Sequence, residues 1–463
     1  MTGDTPTLGG GEDAPTADAI KNSLLEQTEQ SLHVRSKQEK LTQDQLDAMI
    51  ELHSRFLAGR LGGRRAILQN VDISDLSLAG ADMRQIDFSG CSMLRMDLSS
   101  TNFQEARLYA CDLSSSNLKK CNFTRSDLRG SRIEFANLES ANLDKADLRV
   151  GGVVKDGESY DSTMSVNFKG ANLSGAKLTG VLAGSADFSD AIMANVNMMG
   201  ADLRDANLEG ADLSGAKIGG TNLHGAALKA AILTGVDLSG LKDLDADLSE
   251  AITDANIGAS LKDLDEPLAQ KIETHRSWVD SAGKEGAQLD LSGYDLRPLE
   301  KLKQERLTAI KAEKARFFGM NLYKIEMQSA VLNGADFRRC DLEEADLRGS
   351  SFKAARFNHA NLRGANFTPL LFGAGEGTKR FSPSDFEGAS LSYADFEGAN
   401  LRSASFKGAN LAYANFLGAD LQGADFTGAQ IDNTTFDGAN LDEAIIKIEK
   451  GSTFKLGALQ QEE

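Results

Sequence analysis

Residues 384–428 read SDFEGASLSYADFEGANLRSASFKGANLAYANFLGADLQGADFTG. A large apolar residue stands at every fifth position: Phe386, Leu391, Phe396, Leu401, Phe406, Leu411, Phe416, Leu421 and Phe426. Two residues before each centre is a small residue, and one before is Asp, Asn or Ser. The two that follow are mostly polar or Gly. A period of five suits neither a strand, with period 2, nor a helix, with period 3.6. It suits a chain that turns a corner every five residues. One large and one small residue then point inward and three point outward. Four such sides close a coil of about 20 residues, and successive coils stack at the inter-strand spacing of about 4.8 Å. Alternation of Phe and Leu places Phe on two opposed sides and Leu on the other two, a regular filling of a narrow axis.

Working outward, the same pattern runs from Leu68 to Leu148, from Phe168 to Leu248, from Phe317 to Phe372 and from Phe386 to Ile446. Of 59 centres, 58 are apolar and only Asp243 breaks the rule, so the pattern governs the fold. Such a solenoid contacts only neighbouring coils, and its two ends need covering. The pentamer A(D/N)LXX resembles the pentapeptide repeat family, whose members form right-handed quadrilateral β-helices. The resemblance covers about two-thirds of the chain. It implies an all-β solenoid: two right-handed quadrilateral β-helices, each preceded by a capping α-helical segment.

The duplication is legible outside the arrays. Ile50-Glu51-Leu52-His53 precedes the first array and Ile272-Glu273-Thr274-His275 the second, at a constant offset of 222, and Leu46 matches Leu268. Apolar positions 46, 50, 53 and 57 share one helical face. Thr42 and Asp44 are helix-start signals, and Gly59, Gly62 and Gly63, like Gly283 and Gly286, end the helices. The reading divides the chain into a disordered tail at 1–18, a helical cap at 19–65, and a first array at 66–255 with a loop at 149–165. A helical linker and second cap follow at 256–316, then a second array at 317–448 with a loop at 373–383, and a tail at 449–463. The loop at 149–165 keeps the five-residue frame, so it is expected to replace whole sides of a coil. Residues 298–316, with seven basic and three acidic residues between Arg297 and Arg316, are expected to form a basic amphipathic helix.

Composition narrows the function. A net charge of -18 disfavours direct nucleic-acid binding, which needs a cationic surface. No apolar run reaches a membrane span, and the first 20 residues lack a secretory pattern, so a cytoplasmic protein is expected. The four cysteines, Cys91, Cys111, Cys121 and Cys340, all occupy the small inward position and read as free buried thiols. There is no Walker loop, G-x-S-x-G elbow, H-E-x-x-H or Cys/His zinc spacing. His53 and His275 are expected to pack at the helix–coil junctions. No catalytic residue, metal or cofactor is expected.

What remains is a non-catalytic scaffold or adaptor for a protein partner. The candidate contact residues are Tyr393 and Tyr413, read as an exposed aromatic pair. Beside them stand the acidic set Asp385, Glu387, Asp395 and Glu397 and the basic set Lys301, Lys303, Arg306, Lys311 and Lys314. The basic set would place the protein at an anionic membrane, which is the less favoured reading. The family's quinolone-resistance branch implies a second alternative, imitation of DNA toward DNA gyrase. Against it stand interleaved basic residues and a C-terminal tail, KIEKGSTFKLGALQQEE, without an amphipathic pattern. An open last coil near Ile446 would allow an end-to-end homodimer.

Overall fold

The computed structural model describes residues 40–152, 163–239, 247–299, 302, 304–372 and 380–446. Two compact units divide the chain, one ending at Ile257 and the other beginning at Gly258.

In the first unit, parallel backbone bridges join residues 20 positions apart: Ile67 to Asp87, Asp72 to Ser92, Ser77 to Asp97 and Asp82 to Asn102, then onward through the array. These are the four sides of a coil, each represented by a single bridge. The amide of each centre donates to the coil above, as Leu78 N does to Asp97 O at 2.9 Å. The corner is a four-residue turn closed from centre to small residue, for example Ala81 N to Leu78 O at 3.0 Å. Its third residue has φ near +60°, as a type II turn requires. Many of these corners are held by residues other than Gly, among them Ser100, Lys120 and Tyr393. The Asp or Asn before each centre accepts from the amide two residues on, as Asp72 Oδ1 does from Ser74 N at 2.9 Å. That Asx turn is why the pentamer favours Asp or Asn there.

The core follows from the pattern. Centres and small residues are buried along both arrays. In the second unit Phe386, Phe406 and Phe426 stack along the axis with ring centroids 5.0 Å apart. Phe396, Phe416 and Phe436 stack on the opposed side at 4.9 and 5.3 Å. The two columns meet edge to face, Phe386 against Phe396 at 6.3 Å and 88°. Both arrangements suit the aromatic quadrupole.

Helix α1, Gln43–Leu57, starts on a capping box between Thr42 and Gln45 and buries Leu46 and His53. Ahead of it, Leu41 N donates to Asp72 O at 3.0 Å. Within α1, Gln43 exchanges hydrogen bonds with the backbone of Ser77 at 3.0 Å each. The helical segment thus pairs with backbone groups of the first coil. Helix α2, Leu268–Asp280, precedes the second array, with His275 buried. Here β3 (Ala259–Ser260) pairs in parallel with β4 (Tyr294–Asp295) on the first coil edge.

Three expectations are corrected. Residues 304–316 are coils of the solenoid, not a helix: Asp290 bridges Lys311, Asp295 bridges Arg316 and Arg306 bridges Glu326. Leu291, Leu296, Leu302, Leu307, Ala312 and Phe317 are all buried. The second array therefore begins near Leu289 rather than at 317. A six-residue step from Leu296 to Leu302 hides the frame in sequence, and the basic residues occupy outward positions that a helical wheel scatters. Second, the loop near 149–165 adds to a coil rather than replacing sides. Arg132 bridges Asn167 at an offset of 35, so 15 residues are inserted at one corner. Their stem is an antiparallel ribbon, β1 (Gly151–Gly152) on β2 (Thr163–Met164). The later loop has a similar stem, β5 (Leu370–Phe372) on β6 (Arg380–Ser382). Third, Tyr393 and Tyr413 are half-buried rather than exposed. The expected tails at 1–18 and 449–463 lie outside the described residues.

Candidate functional site

The outward face of each coil is built from residues on either side of a centre. Where Asp precedes and Arg follows, the two form a fork, as Arg84 does on Asp82 at 2.8 Å (Nε to Oδ1) and 2.7 Å (Nη2 to Oδ2). The same fork recurs at Asp127–Arg129, Asp147–Arg149, Asp202–Arg204 and Asp346–Arg348. The guanidinium holds the Asp82 carboxyl below its ordinary range. The outward charge of the repeat is in large part consumed within the repeat.

The acidic candidates behave likewise. Lys353 reaches both Asp385, at 3.0 Å, and Glu387. Arg363 reaches Asp395 at 3.3 Å and Glu397 at 2.7 Å. Arg402 pairs with Asp420 and Lys407 with Asp425, at 3.0 and 3.1 Å. Sequence reading missed Lys353 and Arg363 as partners of the acidic set. An inserted loop lies between them and their carboxylates, so the residues one coil apart are 32 to 34 apart in sequence.

Tyr393 and Tyr413 occupy the left-handed corner position, with φ of 63° and 62°. Their rings stack at 5.2 Å, and His359 extends the column, its ring 4.7 Å from that of Tyr393. His359 was missed for the same reason, the inserted loop. The basic candidates do not gather. Arg306 pairs with Glu326 at 3.1 Å and Lys311 with Asp290 at 3.2 Å, while Lys314 stands exposed at a corner. Lys301 and Lys303 lie outside the described residues.

The duplicated histidines occupy equivalent junctions. His275 Nδ1 accepts from Leu289 N at 3.0 Å, and its Nε2 faces Thr308 O at 3.0 Å. His53 does the same with Ala66 N at 3.2 Å and Arg84 O at 3.0 Å. A backbone donor at Nδ1 fixes the neutral tautomer with hydrogen on Nε2. Burial pushes both imidazoles below the ordinary histidine value, outweighing the carbonyl each faces. A cleft lined by His275, Arg276, Val279, Asp280, Arg306 and Thr308 opens beside α2.

The four thiols are buried and free. Each donates to the carbonyl of a centre 23 residues earlier, for example Cys121 Sγ to Leu98 O at 2.8 Å. Thr101, Ser116, Ser131 and Ser350 use the same carbonyl position at 2.7 Å. Burial pushes the Cys91 thiol up to about 11 and Cys121 to about 12. Among the described residues no group of three His, Cys, Asp or Glu side chains is placed to hold a metal ion. No described helix is long and apolar enough to cross a membrane.

One cluster that sequence reading overlooked lies on the second unit. Asp295, Arg316, Asp336 and Arg356 follow one another up a single bridge column. Arg297 forks onto Asp295 at 2.8 and 2.9 Å and stacks its guanidinium 4.4 Å from the Phe318 ring. Arg338 forks onto Asp336 at 2.9 and 2.7 Å. Asp336 and Arg338 are buried, at 0% and 3% exposure, although both hold outward positions of the pentamer. Burial pushes the Asp336 carboxyl up, but the charge and hydrogen bonds of Arg338 prevail and hold it below its ordinary range. The 20-residue spacing of Arg316, Asp336 and Arg356 was the available signal; reading 298–316 as a helix concealed it.

The comparisons agree with this geometry. The model for pentapeptide repeats matches eight copies, within residues 167–240, 315–368 and 380–442. The model for a pentapeptide repeat region matches residues 64–138. No curated protein matches the chain. Among solved structures, a pentapeptide repeat protein (Rfr23) from the cyanobacterium Cyanothece 51142 is 30% identical, over 28% of this chain and 88% of its own, with a TM-score of 0.15. HetL, from Nostoc sp. strain PCC 7120 and involved in heterocyst differentiation regulation, is 20% identical over 87% of this chain and 98% of its own, with a TM-score of 0.17. QnrB1, a plasmid-mediated fluoroquinolone resistance protein, is 20% identical over 40% of this chain and 83% of its own, with a TM-score of 0.25. With repeat-family models matching both arrays over more than half its length, the chain belongs to the pentapeptide repeat family.

Proposed function

We propose that the protein is a non-catalytic, cytoplasmic interaction scaffold. Its two arrays would each be a right-handed quadrilateral β-helix, with α1 and α2 as end caps. The observation that carries this reading is the consumption of reactive groups by the fold itself. Thiols donate to core carbonyls, imidazoles bridge cap to coil, and carboxylates are spent on turns and cross-coil ion pairs. What each array offers a partner is side chains repeated at fixed cross-coil spacing, and such flat ladders suit protein docking. The column His359–Tyr393–Tyr413 is the most distinctive of them, since half-buried aromatic side chains supply contact area at small entropic cost.

Imitation of DNA toward DNA gyrase is the second reading, supported by the net charge of -18. The pairing of Asp385, Glu387, Asp395 and Glu397 with Lys353 and Arg363 weakens it, because the field of the face is neutralised locally. The test is affinity capture from native extract at low and moderate salt, repeated with Tyr393→Ala/Tyr413→Ala. A stoichiometric partner retained by the parent and lost by the variant supports the scaffold. Capture of a topoisomerase that duplex DNA competes away supports mimicry. Absence of any specific partner at either salt overturns both.

A further inference from the structure

The first array spends most of its bases on carboxylates, among them Arg84 on Asp82, Arg95 on Asp75, Arg149 on Asp147 and Arg204 on Asp202. Lys145, Lys177 and Lys217 differ. All three are exposed, and among the described residues none makes an ion pair or a side-chain hydrogen bond. They gather on one side of the solenoid. Asn142, Lys177, Asn197 and Lys217 follow one another up a single bridge column. Lys145 stands at the corner of that side, its amide donating to Thr179 O one coil on at 3.0 Å. The outward residues of this side from Asn142 to Gly220 include one carboxylate, Asp144, whose Oδ1 accepts from Thr179 N at 3.1 Å. The stretch is therefore net positive in a chain of net charge -18.

Apolar surface lies within this charge. Met199, 46% exposed, belongs to the coil between Lys177 and Lys217. Leu182, 40% exposed, lies around the corner, where Gly180 and Gly200 raise no side chain between the two. A thioether adapts to the surface it meets, and opposed charge steers and orients what approaches. Lys177 and Lys217 stand two coils apart, about 10 Å, a distance that carboxylates two to four residues apart reach in an extended chain rising about 3.3 Å per residue.

We propose that this side of the first array docks an extended acidic segment of a protein partner, with carboxylates on Lys145, Lys177 and Lys217 and an apolar side chain on Met199. Charge complementarity selects the occupant: the array supplies carboxylates to its other bases and leaves these three to a carboxylate brought from outside. The inference rests on the scaffold reading and names the chemistry of one partner. Its residues belong to the first array, whereas the tyrosine column belongs to the second, so the two are lost separately. A chain that captures a partner through Tyr393 and Tyr413 but ignores an acidic peptide keeps the scaffold and loses this surface.

Fluorescence anisotropy of the full chain with a labelled dodecapeptide, Glu at two of every three positions and Leu at the third, tests it. The parent should bind at low salt and release the peptide at 1 M NaCl, where the Debye length is about 3 Å. Lys177→Gln/Lys217→Gln should weaken binding at least about tenfold, Met199→Ser should weaken it at unchanged charge, and Lys177→Arg/Lys217→Arg should retain it. Lys120→Gln/Lys229→Gln removes the same charge from other sides of the array and should leave binding unchanged. Absence of binding at low salt overturns the proposal, as does an equal loss in the two Gln pairs, which would make the attraction a property of net charge alone. A single-stranded oligodeoxythymidylate is the competing probe. If it binds through Lys177 and Lys217 while the peptide does not, the surface is one for a phosphate backbone and the assigned occupant is overturned.

Discussion

Replacing His275 with Gln tests the junction between α2 and its array. The imidazole is 1% exposed and makes two backbone hydrogen bonds, both at 3.0 Å, accepting from Leu289 N and donating to Thr308 O. Gln can accept and donate too, but does not titrate and lacks the ring that stacks on Trp278 at 5.8 Å. At pH 7.5 the cost is the difference between two well-made bonds and two imperfect ones, about 1–2 kcal/mol. The informative quantity is how that gap moves with pH. Burial puts the folded histidine below its ordinary value of 6.5. Between the folded and unfolded values, the unfolded chain binds more protons, so stability rises with pH. The histidine contribution is therefore complete above about pH 6.5 and falls as pH drops below it, by at most about 1.4 kcal/mol per pH unit. The Gln variant has no such loss at this site. The gap between parent and variant should narrow between pH 7.5 and 5.5 and can reverse. Hydrogen exchange at the Leu289 amide reports the junction directly, which avoids treating a long repeat array as two-state. A gap that stays constant across that range would refute the neutral-imidazole bridge.

Gly286→Ala should loosen the same junction. Its φ is +75°, and a Cβ there would stand 2.2 Å from Thr274 O, so a loss of at least about 1–2 kcal/mol is expected from the left-handed backbone alone, read by urea unfolding. Phe406→Ala removes an inner ring of the stacked column Phe352–Phe386–Phe406–Phe426 and should cost about 3–5 kcal/mol, with Phe406→Leu costing clearly less by the same assay. Native protein at pH 8 should show no fast-reacting thiol toward Ellman's reagent, with all four appearing in denaturant, because Cys91 and Cys121 ionise only near 11 and 12. Asn415→Asp replaces the Nδ2 donor that reaches Asp395 Oδ1 at 2.9 Å with a second carboxylate one coil away. Its Tm should fall in low salt and largely recover at 1 M NaCl, and a salt-independent drop would contradict the electrostatic account.

The centres were legible because burying an apolar row every five residues has one economical solution, and the buried rows from Leu68 and from Phe386 follow it. The duplicated junction was legible for a similar reason: Leu46, His53 and the glycines recur with Leu268, His275 and Gly283 at nearly constant offset. What was hidden is what depends on the neighbouring coil rather than on the neighbouring residue. An insertion changes the offset between stacked residues from 20 to 34 or 35, and that removed His359, Lys353 and Arg363 from view. A single six-residue step shifted Asp295 against Arg316 to an offset of 21, and the helix reading over 298–316 kept the 20-residue spacing of Arg316, Asp336 and Arg356 from view. Helical periodicity over 298–316 was plausible only because outward bases and inward Leu302, Leu307 and Ile310 can be placed on a wheel as well as on a corner.

The acidity of the chain is best explained by the turn before it is assigned to a partner. At most corners a side-chain oxygen before the centre accepts the amide two residues on, and Asp and Asn serve equally: Asp187 accepts from Ser189 at 2.9 Å and Asn172 from Ser174 at 3.0 Å. The turn therefore favours an oxygen, not a charge, and Leu182, Ile192 and Arg316 show that the position can do without either an oxygen or a negative charge. The choice between Asp and Asn is left to the contacts between coils. There, Asn above or below Asp donates to its carboxylate: Asn117 to Asp97 at 3.0 Å, Asn361 to Asp341 at 3.0 Å and Asn440 to Asp420 at 3.1 Å. Two aspartates so stacked would repel, unless an Arg or Lys fork is supplied, as at Asp127–Arg129 below Asp147–Arg149. Charge along a column is thus a layer that can vary without altering the coil.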